Sequence, residues 1–225
     1  VAVDVPEVHA LEVHRRLLAA YGQPEWRNPL PALDELVSTI LSQNTNDVNR
    51  DRAFDALRAA FPTWEAVRDA DSDLVIDAIR TAGLANQKGP HIQSMLQQIT
   101  QERGELDLEF LRGWPTDEVF DWLTRFKGVG PKTASIVMLF SLDKPAFPVD
   151  THVYRVSGRL GLRSTKTSAE RAHQTLAEIF PQDSYYAAHL NLIRHGREVC
   201  HARTPQCPSC VLQDLCEFYN QQVKA

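Results

Sequence analysis

Phe126-Lys127-Gly128-Val129-Gly130-Pro131-Lys132-Thr133-Ala134 is the stretch on which the reading of this chain turns. Two glycines two residues apart, followed by a proline where a helix can begin, describe a tight turn between two helices. In such a turn the backbone N–H groups approach an anion closely, and the positive end of the second helix points at the same spot. A G-x-G turn also serves as a plain connection between helices, so its neighbours decide whether it carries chemistry. Lys132 falls in the first turn of the second helix, where a cation opposes the macrodipole. That field disfavours the ammonium form and favours a nucleophilic amine of the Schiff-base kind, although a simple phosphate contact would use the same position. Lys88, Lys127, Lys144, Lys166 and Lys224 read as loop, helix-end or tail lysines without a comparable setting.

Outward from this turn the pattern is helical almost everywhere. Apolar residues recur at three- and four-residue intervals over 6–20, 32–42, 47–60, 73–81, 90–102, 116–126, 131–140, 151–160, 168–180 and 184–200. Glycine and proline cluster between these segments, Thr167 with Glu170 suggests a capping box, and Asp183 suggests a cap for the helix after it. No strand alternation competes, so the expected fold class is all-α, with a coarse break near Pro145 to Pro148. Just after the break comes Val149-Asp150-Thr151-His152-Val153-Tyr154-Arg155. Asp150 reads as a helix N-cap, and a carboxylate held that rigidly could also stabilise a developing charge at a sugar carbon or accept a proton from an amine. His152 and Arg155 are candidate phosphate contacts or ordinary surface residues.

The four cysteines, Cys200, Cys207, Cys210 and Cys216, are spaced C-x6-C-x2-C-x5-C. Four thiolates on one short segment suit a tetrahedral zinc or the irons of a [4Fe-4S] cluster. With the cysteines committed there, a reducing, intracellular compartment is the natural expectation. The 225 residues, 43% hydrophobic and 24% charged, are ordinary for a globular protein. The opening segment has no apolar run of signal-peptide type, and no stretch approaches the length of a membrane span. A formal charge of −5 weakens the case for a nucleic-acid partner without removing it, because a basic face can coexist with an acidic back.

Gly128-Val129-Gly130-Pro131-Lys132-Thr133-Ala134, then Val149-Asp150-Thr151-His152, then the four cysteines, resemble in that order the helix-hairpin-helix, catalytic aspartate and cluster loop of the endonuclease III family of DNA glycosylases. The resemblance extends to Leu41-Ser42-Gln43-Asn44-Thr45-Asn46-Asp47 and Gly83-Leu84, which are similar to the family's two loops inserted into DNA. It implies a two-part helical fold: a six-helix barrel over 31–147, with the hairpin at about 117–140, and a cluster domain from 1–30 with 148–225, the loop at 200–216. DNA would lie across the groove between them. Lys132 would be the nucleophile at C1' of a damaged nucleotide, Asp150 its partner, and the four cysteines the ligands of a structural [4Fe-4S] cluster. Gln43, Asn44, Leu84, Gly128, Gly130, Thr133, His152, Arg155 and Arg203 would contact DNA, with Asn44 and Leu84 filling the gap left by a flipped nucleotide.

The implied activity is removal of oxidised pyrimidines from duplex DNA with cleavage at the abasic site, by a monomer that is cytoplasmic, or nucleoid-associated in a bacterium. An adenine-removing mismatch glycosylase is the enzyme alternative. A cluster-containing DNA-binding or redox-sensing protein with weak catalysis is the alternative from another class. Asn44 stands where the family commonly has glutamine, and the cluster loop carries fewer cations than usual, so phosphate affinity is expected to be modest.

Overall fold

The computed structural model describes residues 5–25 and 29–223, so Lys224 lies outside the described residues. The helices in chain order are α1 (Val5–Tyr21), α2 (Ala32–Leu41), α3 (Asp47–Ala60), α4 (Trp64–Asp69), α5 (Ser72–Ala78), α6 (Ala85–Arg103), α7 (Thr116–Thr124), α8 (Pro131–Ser141), α9 (Thr151–Arg159), α10 (Ala169–Ile179) and α11 (Tyr185–Glu198). Among the described residues there is no strand. The chain divides into two compact units, Pro29–Lys144 and Val1–Asn28 together with Pro145–Ala225.

In the Pro29–Lys144 unit α2 is the central element. Leu36, Val37, Ile40 and Leu41 are at most 1% exposed, and the helix packs against α8, whose Ala134, Val137 and Met138 are equally buried. This pairing puts the first turn of α8, and hence Lys132, on a rigid support. A ladder of aromatic rings, Phe110, Trp122 and Phe126, closes the unit behind the turn that follows α7. In the other unit α11 packs on α9 and α1. Tyr186 donates from its hydroxyl to the Glu25 carbonyl at 2.9 Å, and Asn191 donates to the Gly22 carbonyl at 3.2 Å. The first helix is therefore fastened to the C-terminal part of the chain, which periodicity alone leaves open.

Several local expectations are corrected. α4 has six residues, too few for a periodic signal, and is announced only by Thr63, whose hydroxyl accepts from Ala66 N. Pro90 does not open α6 but lies inside it; Asn86, whose carbonyl loses its helical partner there, and Pro90 are both exposed, where water can take that bond. The segment 73–81 breaks at Ile79 into α5 and a 3-10 turn, Arg80–Ala82. α7 stops at Thr124, two residues early. Ser168, not Thr167, caps α10 by accepting from Arg171 N, and α11 begins without a side-chain cap from Asp183. No helix of the described residues is long and apolar enough to cross a membrane.

Candidate nucleic-acid interface and active site

The hairpin turn builds itself from backbone. Val129 N donates to the Phe126 carbonyl at 3.0 Å, and both side chains are buried. Gly128 sits at φ 89°, and a Cβ there would fall 2.9 Å from His91 Nδ1, so position 128 admits glycine alone. Gly130 is the N-cap of α8 with no side-chain cap, and Pro131 follows at the helix start. The positive end of α8 is thus without a capping side chain, and Lys132 emerges half-buried in its first turn. Thr133, expected at the DNA surface, is 3% exposed and turns its hydroxyl inward.

Two loops of the same unit carry the expected wedge residues. Asn44 and Leu84 are both exposed and both left-handed, at φ 54° and φ 51°. For leucine that conformation costs roughly 1–2 kcal/mol. Leu84 is 47% exposed, so it is not the core leucine that its residue type alone would favour. Its carbonyl opens α6, accepting from Gln87 N at 2.9 Å and Lys88 N at 3.0 Å. Gln43 is committed inward: its Nε2 donates to the Gly128 carbonyl at 2.8 Å and approaches Thr133 Oγ1 at 3.3 Å. Its amide therefore braces the hairpin, while its neighbour Asn44 is exposed.

Lys88 corrects the sequence reading most sharply. It lies inside α6 and is 3% exposed. Its Nζ donates to the carbonyls of Leu41 at 2.8 Å, Gln43 at 2.6 Å and Ala82 at 2.9 Å. Burial pushes its pKa down to about 8. All three ammonium donors are spent, so a depressed lysine exists here that is bound to carbonyls rather than available to a substrate.

In the other unit Asp150 is the N-cap of α9, its Oδ1 accepting from Val153 N at 2.7 Å. Two buried histidines fix the chain before it. His173 Nδ1 meets the Phe147 carbonyl at 3.0 Å and His189 Nδ1 the Pro148 carbonyl at 2.9 Å. A carbonyl only accepts, so both rings carry their proton on Nδ1. Arg155, expected on phosphate, is instead tied to its own unit, donating to the carbonyls of Cys200 at 3.0 Å and Gly196 at 2.9 Å and to His152 Nδ1 at 3.1 Å. Gly196 permits this approach of α9 and α11, since a Cβ there would meet His152 Cβ at 2.9 Å.

All four cysteines line one cavity, together with Val156, Arg159, Leu160 and His195. Among the described residues no group of three or more His, Cys, Asp or Glu side chains is placed to hold a single metal ion. A lone zinc needs four sulfurs about 2.3 Å from one point, whereas a cubane spreads its thiolates over several irons. Burial pushes the Cys210 thiol up to about 11, with the charges of Cys200, Cys216 and Cys207 adding to the shift, and burial raises Cys216 as well. Four cysteine sulfurs lining one cavity are a soft donor set that fits an iron–sulfur group. Arg159, absent from the sequence reading, donates to Cys200 Sγ at 3.3 Å and to the carbonyls of His201 at 2.7 Å and Ala202 at 2.8 Å. Its only sequence signal is its place one helical turn after Arg155. Arg203 itself is exposed.

The model of the helix-hairpin-helix (HhH-GPD) superfamily of base excision DNA repair proteins matches residues 37–182, most of the chain, including the hairpin and the Asp150 cap. The chain belongs to that superfamily. The iron–sulfur binding domain of endonuclease III matches residues 200–216, a segment that begins and ends on cysteine, and the chain carries the corresponding iron–sulfur group. An Arabidopsis thaliana protein whose name places it among DNA glycosylases is 41% identical over 165 residues, which are 73% of this chain and 56% of that protein. Endonuclease III of Sulfolobus acidocaldarius is 34% identical over 193 residues, covering 84% of this chain and 83% of the relative. The fold agrees with that of a trapped endonuclease III–DNA covalent intermediate, with a TM-score of 0.81, 27% identity and coverage of 96% and 98% of the two chains. This HhH-GPD chain therefore stands among the DNA glycosylase/AP lyase enzymes of endonuclease III type.

Proposed function

We propose that the chain removes oxidised pyrimidines from duplex DNA and then cleaves the strand at the abasic sugar. The single observation that carries this reading is Lys132, held in the uncapped first turn of α8 immediately after the Gly128–Gly130 turn. The Lys132 amine adds to C1' of the damaged nucleotide as the base leaves with the bonding electrons, and loss of a proton and opening of the ring leave an imine. Removal of a C2' proton then expels the 3' phosphate by β-elimination, and water releases the enzyme. Asp150, its carboxylate fixed by Val153 N, acts as the anion that stabilises the developing sugar charge or takes the proton from the amine. A trapped covalent intermediate described for endonuclease III supports a covalent course here.

The hairpin amides take a backbone phosphate, while Asn44 and Leu84 fill the stack beside the extruded nucleotide. Cys200, Cys207, Cys210 and Cys216 hold a [4Fe-4S] cluster that shapes the segment presenting Arg203 to a second phosphate. The cluster supplies structure there rather than chemistry at the sugar. A mismatch glycosylase that activates water would have no use for Lys132. The test is a panel of duplexes, each with one defined lesion, including an abasic site, with product ends resolved. Release of oxidised pyrimidines with β-elimination ends supports the reading; base release that leaves an uncut abasic strand overturns it.

A further inference from the structure

The catalytic proposal uses Lys132 and leaves Lys88 without a task, although Lys88 is the most deeply buried lysine among the described residues. Burying an ammonium costs several kcal/mol even after relaxation. No ion pair with a carboxylate offsets that cost among the described residues, and burial is the cause of its depressed pKa. What surrounds it is a set of three carbonyls, and their origins are informative. Leu41 is the last residue of α2, where carbonyls lack helical partners and the macrodipole is negative. Ala82 ends the 3-10 turn that leads into Leu84, and Gln43 is the neighbour of Asn44. The same ammonium therefore grips the loop of Asn44 from two sides and the loop of Leu84 from a third.

The connection continues to the hairpin. Gln43 gives its carbonyl to Lys88 and its side-chain amide to Gly128, so ammonium, wedge loop and phosphate-binding turn form one chain of hydrogen bonds. The Lys88 backbone joins as well, its N–H satisfying the carbonyl of the strained Leu84. Two left-handed non-glycine residues on neighbouring loops persist only where the surroundings over-determine them, and such strain marks functional positions. We propose that Lys88 is a positioning residue for opening the duplex, a buried ammonium that joins the Asn44 and Leu84 loops into one rigid wedge registered on the hairpin. This rests on the reading of those loops as the elements that enter DNA.

The test compares wild-type protein with Lys88→Met, which keeps the apolar stem and removes every donor, and with Lys88→Gln, which retains two. Each is assayed on an abasic site in duplex and in single-stranded DNA, and on a duplex with 2-aminopurine opposite an abasic analogue, whose fluorescence rises on unstacking. For Lys88→Met, duplex cleavage should fall on the order of 10²-fold, the loss that misplaced groups bring, while single-strand cleavage falls by less than about threefold. The fluorescence rise should vanish, and Lys88→Gln should lie between. Equal losses on the two substrates, or an undiminished fluorescence rise, overturn the positioning role. Loss of the native helical spectrum in both variants also overturns it and makes Lys88 a stability residue. If wild type itself gives no fluorescence rise, the loops do not enter the duplex, and the underlying reading fails first.

Discussion

Residues 126–134 turn once and pass directly into a regular helix, whereas residues 200–216 combine short internal turns with arginines that reach in from α1 and α9. The hairpin turn closes on a 3.0 Å bond from Val129 N to the Phe126 carbonyl and passes directly into a regular helix. The cysteine segment contains only the short 3-10 turns Cys207–Ser209 and Gln213–Leu215. Arg155 and Arg159 supply donors to its first carbonyls, and Arg16 reaches the Val211 carbonyl at 3.2 Å and pairs with Asp214. The carbonyls of Cys200, His201, Ala202 and Val211 are met by guanidinium donors from outside the segment, while its cysteines are the donors an iron–sulfur group needs. Under the proposed function the turn carries the chemistry and the cysteine segment a shaping task, and each role can be broken separately.

The largest effect is expected at the turn. Lys132→Gln should reduce strand cleavage by at least about 10⁴-fold, as removal of a nucleophile does, while absorbance and most DNA binding remain. Retained cleavage would move the chemistry elsewhere. Next, Asp150→Asn should slow base release by about 10²-fold. Its thermal midpoint should hardly change, because asparagine caps a helix as well as aspartate does. A large loss of stability with base release intact would make Asp150 a cap and nothing more.

These predictions concern residues that the sequence made legible, and the reasons are local. Asp150 as an N-cap, the Gly128–Gly130 turn and the α3 boundaries follow from side chains acting within a few residues of themselves. α4 escaped because six residues give no periodicity, and the start of α6 escaped because Pro90 imitates a helix opening. Lys88, Arg155 and Arg159 were misread or missed for a different reason. Each takes carbonyls from segments distant in sequence, and nothing around a lysine at position 88 announces the loops it grips. Leu84 shows the same limit: exposure and a left-handed backbone together exclude a core leucine, and neither is written in its residue type.

The cysteine segment should respond in the opposite way from the turn. Cys207→Ser should bleach a broad absorbance near ~400 nm from thiolate-to-iron charge transfer and weaken DNA binding by about tenfold. The Pro29–Lys144 unit should keep its helical signal. Colourless wild-type protein carrying stoichiometric zinc would contradict the cluster. The smallest effect is expected from Arg203→Ala, which should lower the slope of log affinity against log salt by about one and weaken binding to all sequences alike. A slope unchanged by that substitution would place the phosphate contacts outside the segment.

The most direct measurement of the central claim is borohydride reduction during cleavage of an abasic duplex, followed by peptide mapping of the protein–DNA adduct. An amine at C1' passes through an imine that borohydride fixes as a stable link, and the account places that link on Lys132. A link at any other lysine, Lys88 included, or active cleavage with no link at all, would contradict it.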